Sequence, residues 1–323
     1  MVMKYYLGAD VGSSKTQILI ADESGQATGQ GLAGPGNHQV VGYEGMVSAL
    51  KEASSQALEE AGISIKEIAG AGFGISGYDW PADKPNMLAA IDELGLQAPL
   101  ELHNDAVLGL VAGARDGWGI AVVSGTGCNC WGWDRDRKHI GRVTGFGVIA
   151  GEAAGSSELV FRAMQLISQA WTRRGGQTAL TRAFVDYAGA KDVVDLLEGY
   201  TNGRLQIDGS AAPLVFQVAE AGDAITRQLI CWAGAELGEL ANAVIRQLDF
   251  QSLEFEVVLV GSMFDGGQML IDPMRETIEQ LAPGARLVKL TMPPVVGALL
   301  LGMQAGGFQP TPEVRQVLGS SFI

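Results

Sequence analysis

Residues 8–16 read GADVGSSKT, and this stretch decides how the first part of the chain folds. It is close to a phosphate-binding P-loop, whose pattern G-x-x-x-x-G-K-[ST] requires glycine at positions 9 and 14. The chain has Ala9 and Ser14 there, although Lys15 and Thr16 fit. A P-loop also needs a helix after the loop, whereas the β-branched run TQILI favours a strand. The stretch therefore predicts a strand–turn–strand hairpin and excludes a P-loop.

Such a hairpin can still bind phosphate, because the backbone and hydroxyl groups of its turn are hydrogen-bond donors. Gly12, Ser13, Ser14 and Thr16 supply these groups. Asp10, at the end of the first strand, can hold a hydrated Mg²⁺ ion. Taken alone, the same residues are equally consistent with an ordinary hairpin turn.

A second stretch, VVSGTGCNC at residues 122–130, repeats this arrangement of a β-branched strand followed by Gly, Ser and Thr. Two such hairpins are much less expected by chance than one. Ser124 to Gly127 and the first hairpin are therefore interpreted as a pair of loops that hold a polyphosphate.

Asp105 lies between the two hairpins, in the stretch ELHNDAVLG at residues 101–109. It ends an apolar strand and begins an apolar helix, so one interpretation is a helix N-cap. The other is a general base that accepts the proton of a substrate hydroxyl, which is the main side-chain function that phosphoryl transfer requires.

Composition limits the class of protein. The net charge of −14 argues against nucleic acid or an anionic membrane as a partner, but it does not exclude ATP held by backbone amides and a metal. Three cysteines without framework spacing fit a reducing compartment, and the longest apolar stretch is too short for a bilayer. The 45 glycines among 323 residues are roughly twice the usual fraction and cluster after apolar runs. We expect a cytoplasmic globular protein.

The order of elements predicts an α/β protein with two lobes. Strands and helices alternate in two rounds of β-β-β-α-β-α-β-α, and mainly parallel sheets are expected from this alternation. The predicted lobes span residues 1–115 and 116–323, with a helical insert at about 152–248 in the second. The last helix is able to pack back on the first lobe. A central cleft between the lobes is the expected place for a ligand.

Seven short motifs occur in order along nearly the whole chain: DVGSSKT, GPGNH, HNDA, SGTGCNC, GFGVIAGE, AEAGD and VLVGS. Each motif alone is too short to indicate a family, but the seven motifs in this order are a specific signal for one. In this series the chain resembles the N-acetylglucosamine kinases and the wider BadF/BadG/BcrA/BcrD ATPase family, within the actin–Hsp70–hexokinase superfamily. The resemblance implies actin/hexokinase-like lobes built from ribonuclease H-like units, and an ATP-dependent sugar kinase that uses Mg²⁺ and forms a homodimer.

The resemblance also implies roles for individual residues. By this resemblance, Asp10 is the carboxylate next to the metal ion, and Asp105 is the catalytic base. The nucleotide-binding positions implied are Gly12, Ser13, Ser14, Lys15, Thr16, Gly125, Thr126, Gly127, Ala219, Gly222, Gly261 and Ser262. The sugar-binding positions implied are Asn37, His38, Asp105, Cys128, Asn129, Phe146 and Glu152.

One motif departs from the family pattern GWG…GDEGS, because this chain reads GFGVIAGEAAGSS at residues 145–157. Phe146 replaces a tryptophan, Glu152 stands where an aspartate is expected, and one residue is inserted after it. The acceptor is therefore left open between N-acetylglucosamine, glucosamine and another hexose.

Two further functions are compatible with the superfamily. An ATPase that activates a 2-hydroxyacyl-CoA dehydratase would need well-separated cysteine ligands for an iron–sulfur cluster, whereas Cys128 and Cys130 are two residues apart. A sugar-sensing repressor would need a DNA-binding segment, for which this acidic chain offers no candidate.

Overall fold

A computed structural model describes residues 3–320. Its strands are β1 (Tyr5–Val11), β2 (Thr16–Asp22), β3 (Ala27–Ala33), β4 (Ile68–Ile75), β5 (Leu100–Asn104), β6 (Gly119–Ser124), β7 (Cys128–Trp133), β8 (Ile140–Arg142), β9 (Phe255–Val260) and β10 (Ala285–Lys289). Its α-helices are α1 (His38–Ala61), α2 (Lys84–Asp92), α3 (Asp105–Gly113), α4 (Ser156–Trp171), α5 (Leu180–Ala188), α6 (Val193–Thr201), α7 (Ala212–Glu220), α8 (Ala224–Gln247), α9 (Gln268–Leu281), α10 (Pro294–Ala305) and α11 (Pro312–Ser320).

The chain divides into two compact units. Unit 1 comprises Met1–Ala121, Trp131–Lys138 and Val288–Ile323. Unit 2 comprises Val122–Cys130 and His139–Leu287. The chain therefore returns to unit 1 twice after leaving it, the second time with helices α10 and α11.

The sheet of unit 1 has the strand order β3-β2-β1-β4-β5. Strand β1 is antiparallel to β2 and parallel to β4, and β4 is parallel to β5. The predicted β-β-β-α-β-α-β-α order is confirmed in this unit, but the expectation of a mainly parallel sheet is wrong. Tight hairpins join β1, β2 and β3, and a short hairpin can only join antiparallel strands.

The two faces of this sheet are covered by different helices, because successive residues of a strand point to opposite faces. Leu7, Ala9 and Val11 of β1 lie in one core with residues of α1 and α2, including Met46 and Met87. On the other face, α10 packs against β1 and β4.

The contact of α10 with the sheet is made through glycines. A Cβ atom at Gly8 would lie 2.4 Å from the backbone nitrogen of Leu299, and one at Gly72 would lie 2.0 Å from the carbonyl oxygen of Ala298. From the helix side, a Cβ at Gly302 would lie 2.6 Å from the carbonyl oxygen of Leu7. Helix and sheet backbones therefore touch without intervening side chains.

The second sheet has the order β10-β9-β6-β7-β8. Helices α4 to α8 lie between β8 and β9 in sequence and form the predicted helical insert. Helix α8 packs closely on α9, since Gly234 and Gly238 leave no side chain between them; a Cβ at Gly234 would lie 2.3 Å from the carbonyl oxygen of Leu270.

Two local features differ from the sequence interpretation. Helix α1 begins at His38, earlier than the apolar periodicity indicates, and Gly42 interrupts it with a φ of 70°. Helix α11 was not predicted; it is short and mostly polar, and its buried residues are Val314 and Leu318. None of the helices described between residues 3 and 320 has the length and apolar character of a membrane span.

We expect Gly72→Ala to lower the free energy of unfolding by about 2 to 3 kcal/mol, because the added methyl group meets α10 backbone that cannot move aside. Gly34→Ala is the matched control, since a Cβ there meets no atom within 4 Å. Urea unfolding followed by circular dichroism measures both variants. Equal unfolding midpoints would show that α10 adjusts its position freely.

Candidate functional site

The turn between β1 and β2 is the first part of the candidate site. It is closed by the Gly12 amide, which donates to the Lys15 carbonyl at 2.9 Å. Ser13, Ser14 and Lys15 are exposed at its tip. The strand–turn–strand arrangement is confirmed, and the helix that a P-loop requires is absent from this position. Thr16, by contrast, is fully buried, and its hydroxyl faces Gly36.

Asn37 ties this turn to the start of α1. The amides of Gly36 and Asn37 donate to the Gly12 carbonyl at 3.0 and 3.2 Å. The Asn37 side chain caps α1 by accepting from the Gln39 amide, and its nitrogen donates to the Ser13 hydroxyl at 2.9 Å. Asn37 is therefore buried and holds the turn in place, independently of any ligand that it binds.

His38 is the first residue of α1. Its ring stacks on that of Tyr43, with centroids 4.7 Å apart, and its Nδ1 is buried without a hydrogen-bond partner among the described residues.

Asp105 is the first residue of α3, and the prediction that it is the N-cap is wrong. The cap is Asn104, whose side-chain oxygen accepts from the Ala106 amide at 3.0 Å. The side-chain nitrogen of Asn104 donates to the carbonyl of Tyr78 and to the carboxylate of Asp79, both at 3.2 Å. Asn104 therefore supplies the N-cap of α3, and the Asp105 carboxylate, which also interacts with the first backbone amides of the helix, is not needed as the cap.

Asp10 and Asp105 come together because three parallel strands end at the same level. Val11 of β1 is paired with Ile75 of β4, and Ile75 is paired with Asn104 of β5. Residues that end β1 and follow β4 and β5 therefore meet at one edge of the sheet, where α/β proteins bind ligands.

The carboxyl groups at this edge have raised pKa values. The pKa of Asp10 is raised to about 7, chiefly by burial and also by the charge of Asp105, while the charge of Lys15 opposes the shift. Burial also raises the pKa of Asp105 to about 6. The Ser76 hydroxyl lowers the Asp105 pKa by hydrogen bonding to the carboxylate, whereas the charge of Asp79 raises it.

Asp10 is suited to a hydrated cation. Its carboxylate makes no hydrogen bond to the residues that the structure describes, so its oxygens are free to bind a ligand. Among residues 3–320 there is no group of three or more acidic, His or Cys side chains that could hold a metal ion. A Mg²⁺ ion at Asp10 would therefore depend on water and substrate phosphates for its other ligands, as Mg²⁺ commonly does.

The loop Gly125–Gly127 in unit 2 is held by the start of α4. The amides of Ser156 and Ser157 donate to the carbonyls of Gly125 and Thr126 at 2.8 and 3.1 Å. The first turn of α4 thus uses its free amides on the loop, and its partial positive charge lies beside the loop. Gly155 permits this contact, since a Cβ there would lie 2.4 Å from the Cα of Gly127.

A cavity of about 750 Å³ in unit 2 opens beside this loop. It is lined by Gly125, Thr126, Ser156, Ser157, Asp208, Gly209, Ser210, Ala212, Pro213, Phe216, Gln217, Glu220, Ser262, Met263, Asp265 and Gly266. Its volume and its mixture of apolar wall and polar groups fit a nucleotide-sized ligand.

The structure brings only some of the predicted nucleotide residues of unit 2 to this cavity. Gly125, Thr126 and Ser262 line it. The lining does not include Gly127, Ala219, Gly222 or Gly261. Ala219 is fully buried within α7, whose residues Phe216, Gln217 and Glu220 form the wall instead.

Sequence reasoning missed several lining residues, and some of them carry a recognisable signal. Ser156 and Ser157 precede Glu158, whose side chain accepts from the Gly155 amide at 3.0 Å, as in a capping box. Asp208 caps the short turn that follows it by accepting from the Ser210 amide at 2.9 Å. These patterns mark the starts of helical turns, but they do not indicate that the turns face a common cavity.

The predicted sugar-side residues of unit 2 differ in exposure. Cys128 is buried, and burial raises the pKa of its thiol to about 12. Asn129 accepts from the Cys130 amide at 2.8 Å, and Phe146 is half exposed.

Glu152 closes the loop between β8 and α4. Its Oε1 accepts from the amide and hydroxyl of Thr144 at 2.7 and 2.8 Å. Its Oε2 is buried without a partner among the described residues. A buried carboxylate oxygen without a donor is costly, which makes this atom a candidate acceptor for a ligand hydroxyl.

Two five-stranded mixed sheets, each containing three consecutive neighbouring strands, define an α/β fold of the actin- and hexokinase-like class. A solved structure from Chromobacterium violaceum, provisionally named N-acetylglucosamine kinase, is 28% identical with a TM-score of 0.68, covering 93% of this chain and 99% of that one. A glucokinase of Streptomyces griseus from the ROK family shares the fold at 20% identity with a TM-score of 0.59, covering 94% of this chain and 100% of that one.

The family model described as the BadF/BadG/BcrA/BcrD ATPase family matches residues 7–302, and the chain belongs to this family. The N-acetyl-D-glucosamine kinase of Dictyostelium discoideum is 25% identical over 94% of this chain and 99% of its own length. The N-acetylmuramic acid/N-acetylglucosamine kinase of Clostridium acetobutylicum is 25% identical over 93% of this chain and 98% of its own length.

We expect Asp10→Asn to stabilise the protein at pH 8 in the absence of Mg²⁺. The pKa of Asp10 is higher in the folded protein than the ordinary aspartate value of 3.8, so ionisation costs stability as the pH rises from about 4 through about 7. With allowance for partial exposure, the gain at pH 8 is about 1 to 2 kcal/mol, and it vanishes near pH 4. Thermal unfolding at both pH values, with the exposed Asp272→Asn as control, measures it. A gain of equal size at pH 4 would contradict this electrostatic explanation.

Proposed function

We propose that the protein transfers the γ-phosphoryl group of ATP in line to a hydroxyl group of an amino sugar, in the first place N-acetylglucosamine. The coarser activity, that of an ATP-dependent carbohydrate kinase, is supported by the family, by the named kinases that match the chain end to end, and by the fold. To this activity the proposal adds the identity of the acceptor sugar, the residues that bind and activate the substrates, and the mechanism of transfer.

The observation that carries the mechanism is the Asp105 carboxylate. It stands at the carboxyl end of β5, is released from helix capping by Asn104, and has a pKa of about 6. A carboxylate with this pKa is mostly ionised at neutral pH and is a stronger base than an ordinary aspartate. These are the properties required of a group that accepts a proton from a sugar hydroxyl.

In the proposed reaction, the acceptor hydroxyl oxygen attacks the γ-phosphorus while its proton passes to Asp105. The bond between the γ-phosphorus and the bridging oxygen breaks, and ADP leaves with that electron pair. Ser76 orients the Asp105 carboxylate through its hydrogen bond, and Asn37 lies 3.5 Å from the Ser76 hydroxyl. When Mg²⁺ is bound at Asp10, it would supply charge neutralisation for the phosphates.

The nucleotide is assigned to the cavity of unit 2. Phosphate binding by the exposed turn Gly12–Lys15 of unit 1 stays a separate prediction. In the loop Gly125–Gly127 the Gly125 amide donates to the Gly127 carbonyl at 2.9 Å, so the amides of Thr126 and Gly127, beside the positive end of α4, are the proposed phosphate donors. Asp208 and Glu220 on the cavity lining can accept hydrogen bonds from ribose hydroxyls. A role for Thr16 in phosphate binding stays a prediction, since its hydroxyl is buried.

The choice of an N-acetylated sugar rests on the names of the matching kinases and on the chemistry of Glu152 and Phe146. The unpartnered Oε2 of Glu152 can accept one sugar hydroxyl, while Phe146 presents an exposed apolar ring suited to an acetyl group. Asn37, His38, Cys128 and Asn129 remain proposed sugar contacts.

The homodimer and the cytoplasmic location that follow from the family resemblance stay predictions. Light scattering of the purified chain decides the oligomeric state. A single-chain mass would contradict the dimer without affecting the kinase mechanism.

We expect Asp105→Asn to lower kcat by about 10²- to 10⁴-fold, the usual contribution of a general base. The assay is coupled ADP release with N-acetylglucosamine, N-acetylmuramic acid, glucosamine and glucose, and the wild type should show its highest kcat/KM with N-acetylglucosamine. The variant should fold and bind sugar normally, because Asn104 caps α3.

Asp92→Asn, an exposed carboxylate at the end of α2, is the matched control and should retain full turnover. A near-wild-type kcat for Asp105→Asn would refute the base assignment. If glucosamine or glucose has the higher kcat/KM, the acceptor is wrong while the kinase chemistry stands.

The pH profile of kcat/KM is expected to fall on the acid side near pH 6 to 7, where Asp105 and Asp10 take up protons. Asp79→Asn removes a negative charge and lowers the pKa of Asp105, so this fall should move to lower pH. Ser76→Ala removes a hydrogen bond to the carboxylate and should move it to higher pH. If both variants move the acid-side fall of kcat/KM in the same direction, the effects assigned to Asp79 and Ser76 on the pKa of Asp105 are contradicted.

A further inference from the structure

Two arginines of unit 1, Arg137 and Arg315, form a cluster that the kinase mechanism does not use. We call it the arginine pair. Arg137 belongs to the turn between β7 and β8, and Arg315 belongs to α11. Both guanidinium groups approach Gly117, where a Cβ atom would lie 2.5 Å from Nη2 of Arg137 and 3.6 Å from Nη2 of Arg315. Gly117 has a φ of 67°, which favours glycine, and the missing side chain admits the Arg137 guanidinium.

Each guanidinium uses only part of its set of N–H donors. Arg137 donates through Nε to the Gly117 carbonyl at 3.2 Å and through Nη1 to the Gln304 side-chain oxygen at 2.7 Å. Its guanidinium also lies over the ring of Trp133, 4.9 Å from the centroid. Arg315 donates through Nη1 to the Val111 carbonyl at 3.0 Å. Among residues 3–320, no acceptor is recorded for the Nη2 atom of either side chain.

The arginine pair lacks a direct carboxylate partner among the described residues, although the charges of Glu101 and Asp116 act on it from further away. No carboxylate of the described residues forms an ion pair with either guanidinium, although the chain has 36 acidic and 22 basic residues. Glu101 is near Arg137 but is engaged by His103 at 2.9 Å, and Asp116, near Arg315, is exposed. Burial lowers the pKa of Arg137, and the charge of Arg315 lowers it further.

We propose that the arginine pair is a binding site for a dianionic phosphate group, either free phosphate or the phosphate of a monoester. Two neighbouring cations with unused, fixed N–H donors are matched by an anion that carries two charges and several acceptor oxygens. A carboxylate brings one charge and would leave one guanidinium uncompensated. Phosphate carries nearly two charges at and above neutral pH.

This site is separate from the candidate active site and does not rest on the proposed function. Asp105 begins α3, whereas Gly117 follows the end of the same helix. The nine residues of α3 span about 13 Å at 1.5 Å per residue, so a phosphate at the pair lies far from the Asp105 carboxylate. The cavity beside Gly125 is lined by residues of unit 2 only.

Isothermal titration with inorganic phosphate tests the proposal, with Mg²⁺ and a non-hydrolysable ATP analogue in excess so that the nucleotide phosphate loops are filled. We expect one phosphate per chain, sulfate binding with comparable affinity, and acetate binding at least tenfold more weakly. Absence of phosphate binding at millimolar concentration, or equal affinity for acetate, would overturn the proposal.

The variants Arg137→Gln and Arg315→Gln assign the binding to the pair. Each should raise the dissociation constant of phosphate by about tenfold or more, since a charged hydrogen-bond donor is lost. Arg182→Gln, which removes an exposed arginine of α5, is the control and should bind as the wild type does. If a glutamine variant unfolds, Arg315→Lys retains the charge without the planar fork and should still weaken phosphate binding. Wild-type affinity in the folded Arg137 and Arg315 variants would refute the site.

Two further titrations identify the source of the phosphate. A hexosamine phosphate that binds more tightly than inorganic phosphate supports a sugar phosphate as the ligand, and equal affinities support free phosphate. A hexosamine phosphate that binds wild type and Arg315→Gln equally well would contradict a monoester site at the pair.

Discussion

The common level at which β1, β4 and β5 end is the constraint on which the active-site chemistry depends. The register of these strands is specified by their alternating buried side chains and by turn geometry, and it pairs Val11 with Ile75 and Ile75 with Asn104. It places Asp10, Ser76 and Asp105 at one edge and forces two carboxylates into the same partly buried region. Burial raises the pKa of both carboxyl groups, with a further rise from the charge of Asp105 for Asp10 and from the charge of Asp79 for Asp105. These raised pKa values are what the proposed base and the proposed cation ligand require.

In unit 2 the candidate phosphate-binding loop is held in place by backbone groups rather than by side chains. Its loop Gly125–Gly127 gives carbonyl oxygens to the first amides of α4, so the helix start is satisfied without a capping side chain at Gly155. Under the proposed assignment, an acidic chain can bind a nucleotide without a basic patch, because backbone amides and a helix dipole can take the place of lysine and arginine. This agrees with a net charge of −14 in an ATP-using family.

The parts of the fold with strong local signals could be predicted from the sequence. The β1–β2 hairpin, the position of Asp10 near the end of β1, the end of β5 before Asp105, and the helical insert follow from β-branched runs and helical periodicity. Helix α11 could not, since its nine residues bury only two side chains and its position depends on distant segments.

Residues of the candidate site could be predicted from the sequence only where they belong to a recognisable motif. Asp105 was identified as either a cap or a base, and the choice depended on the Asn104 side chain, whose rotamer no sequence pattern reports. Ser76 and Asp79 follow β4 without any distinguishing motif, and their importance comes from strand register. The wall of Phe216, Gln217 and Glu220 arises from the way α7 packs, so residues beside the AEAGD motif line the cavity rather than Ala219 itself.

The glycine contacts of α10 also affect how the protein is made. Strands β1 and β4 leave the ribosome early, but the helix that covers one face of their sheet lies at Pro294–Ala305. A growing chain therefore carries an uncovered apolar sheet until nearly all of its 323 residues have been synthesised. A chain that ends within the helical insert lacks the helix that covers this face, and exposed apolar surface of this kind favours aggregation.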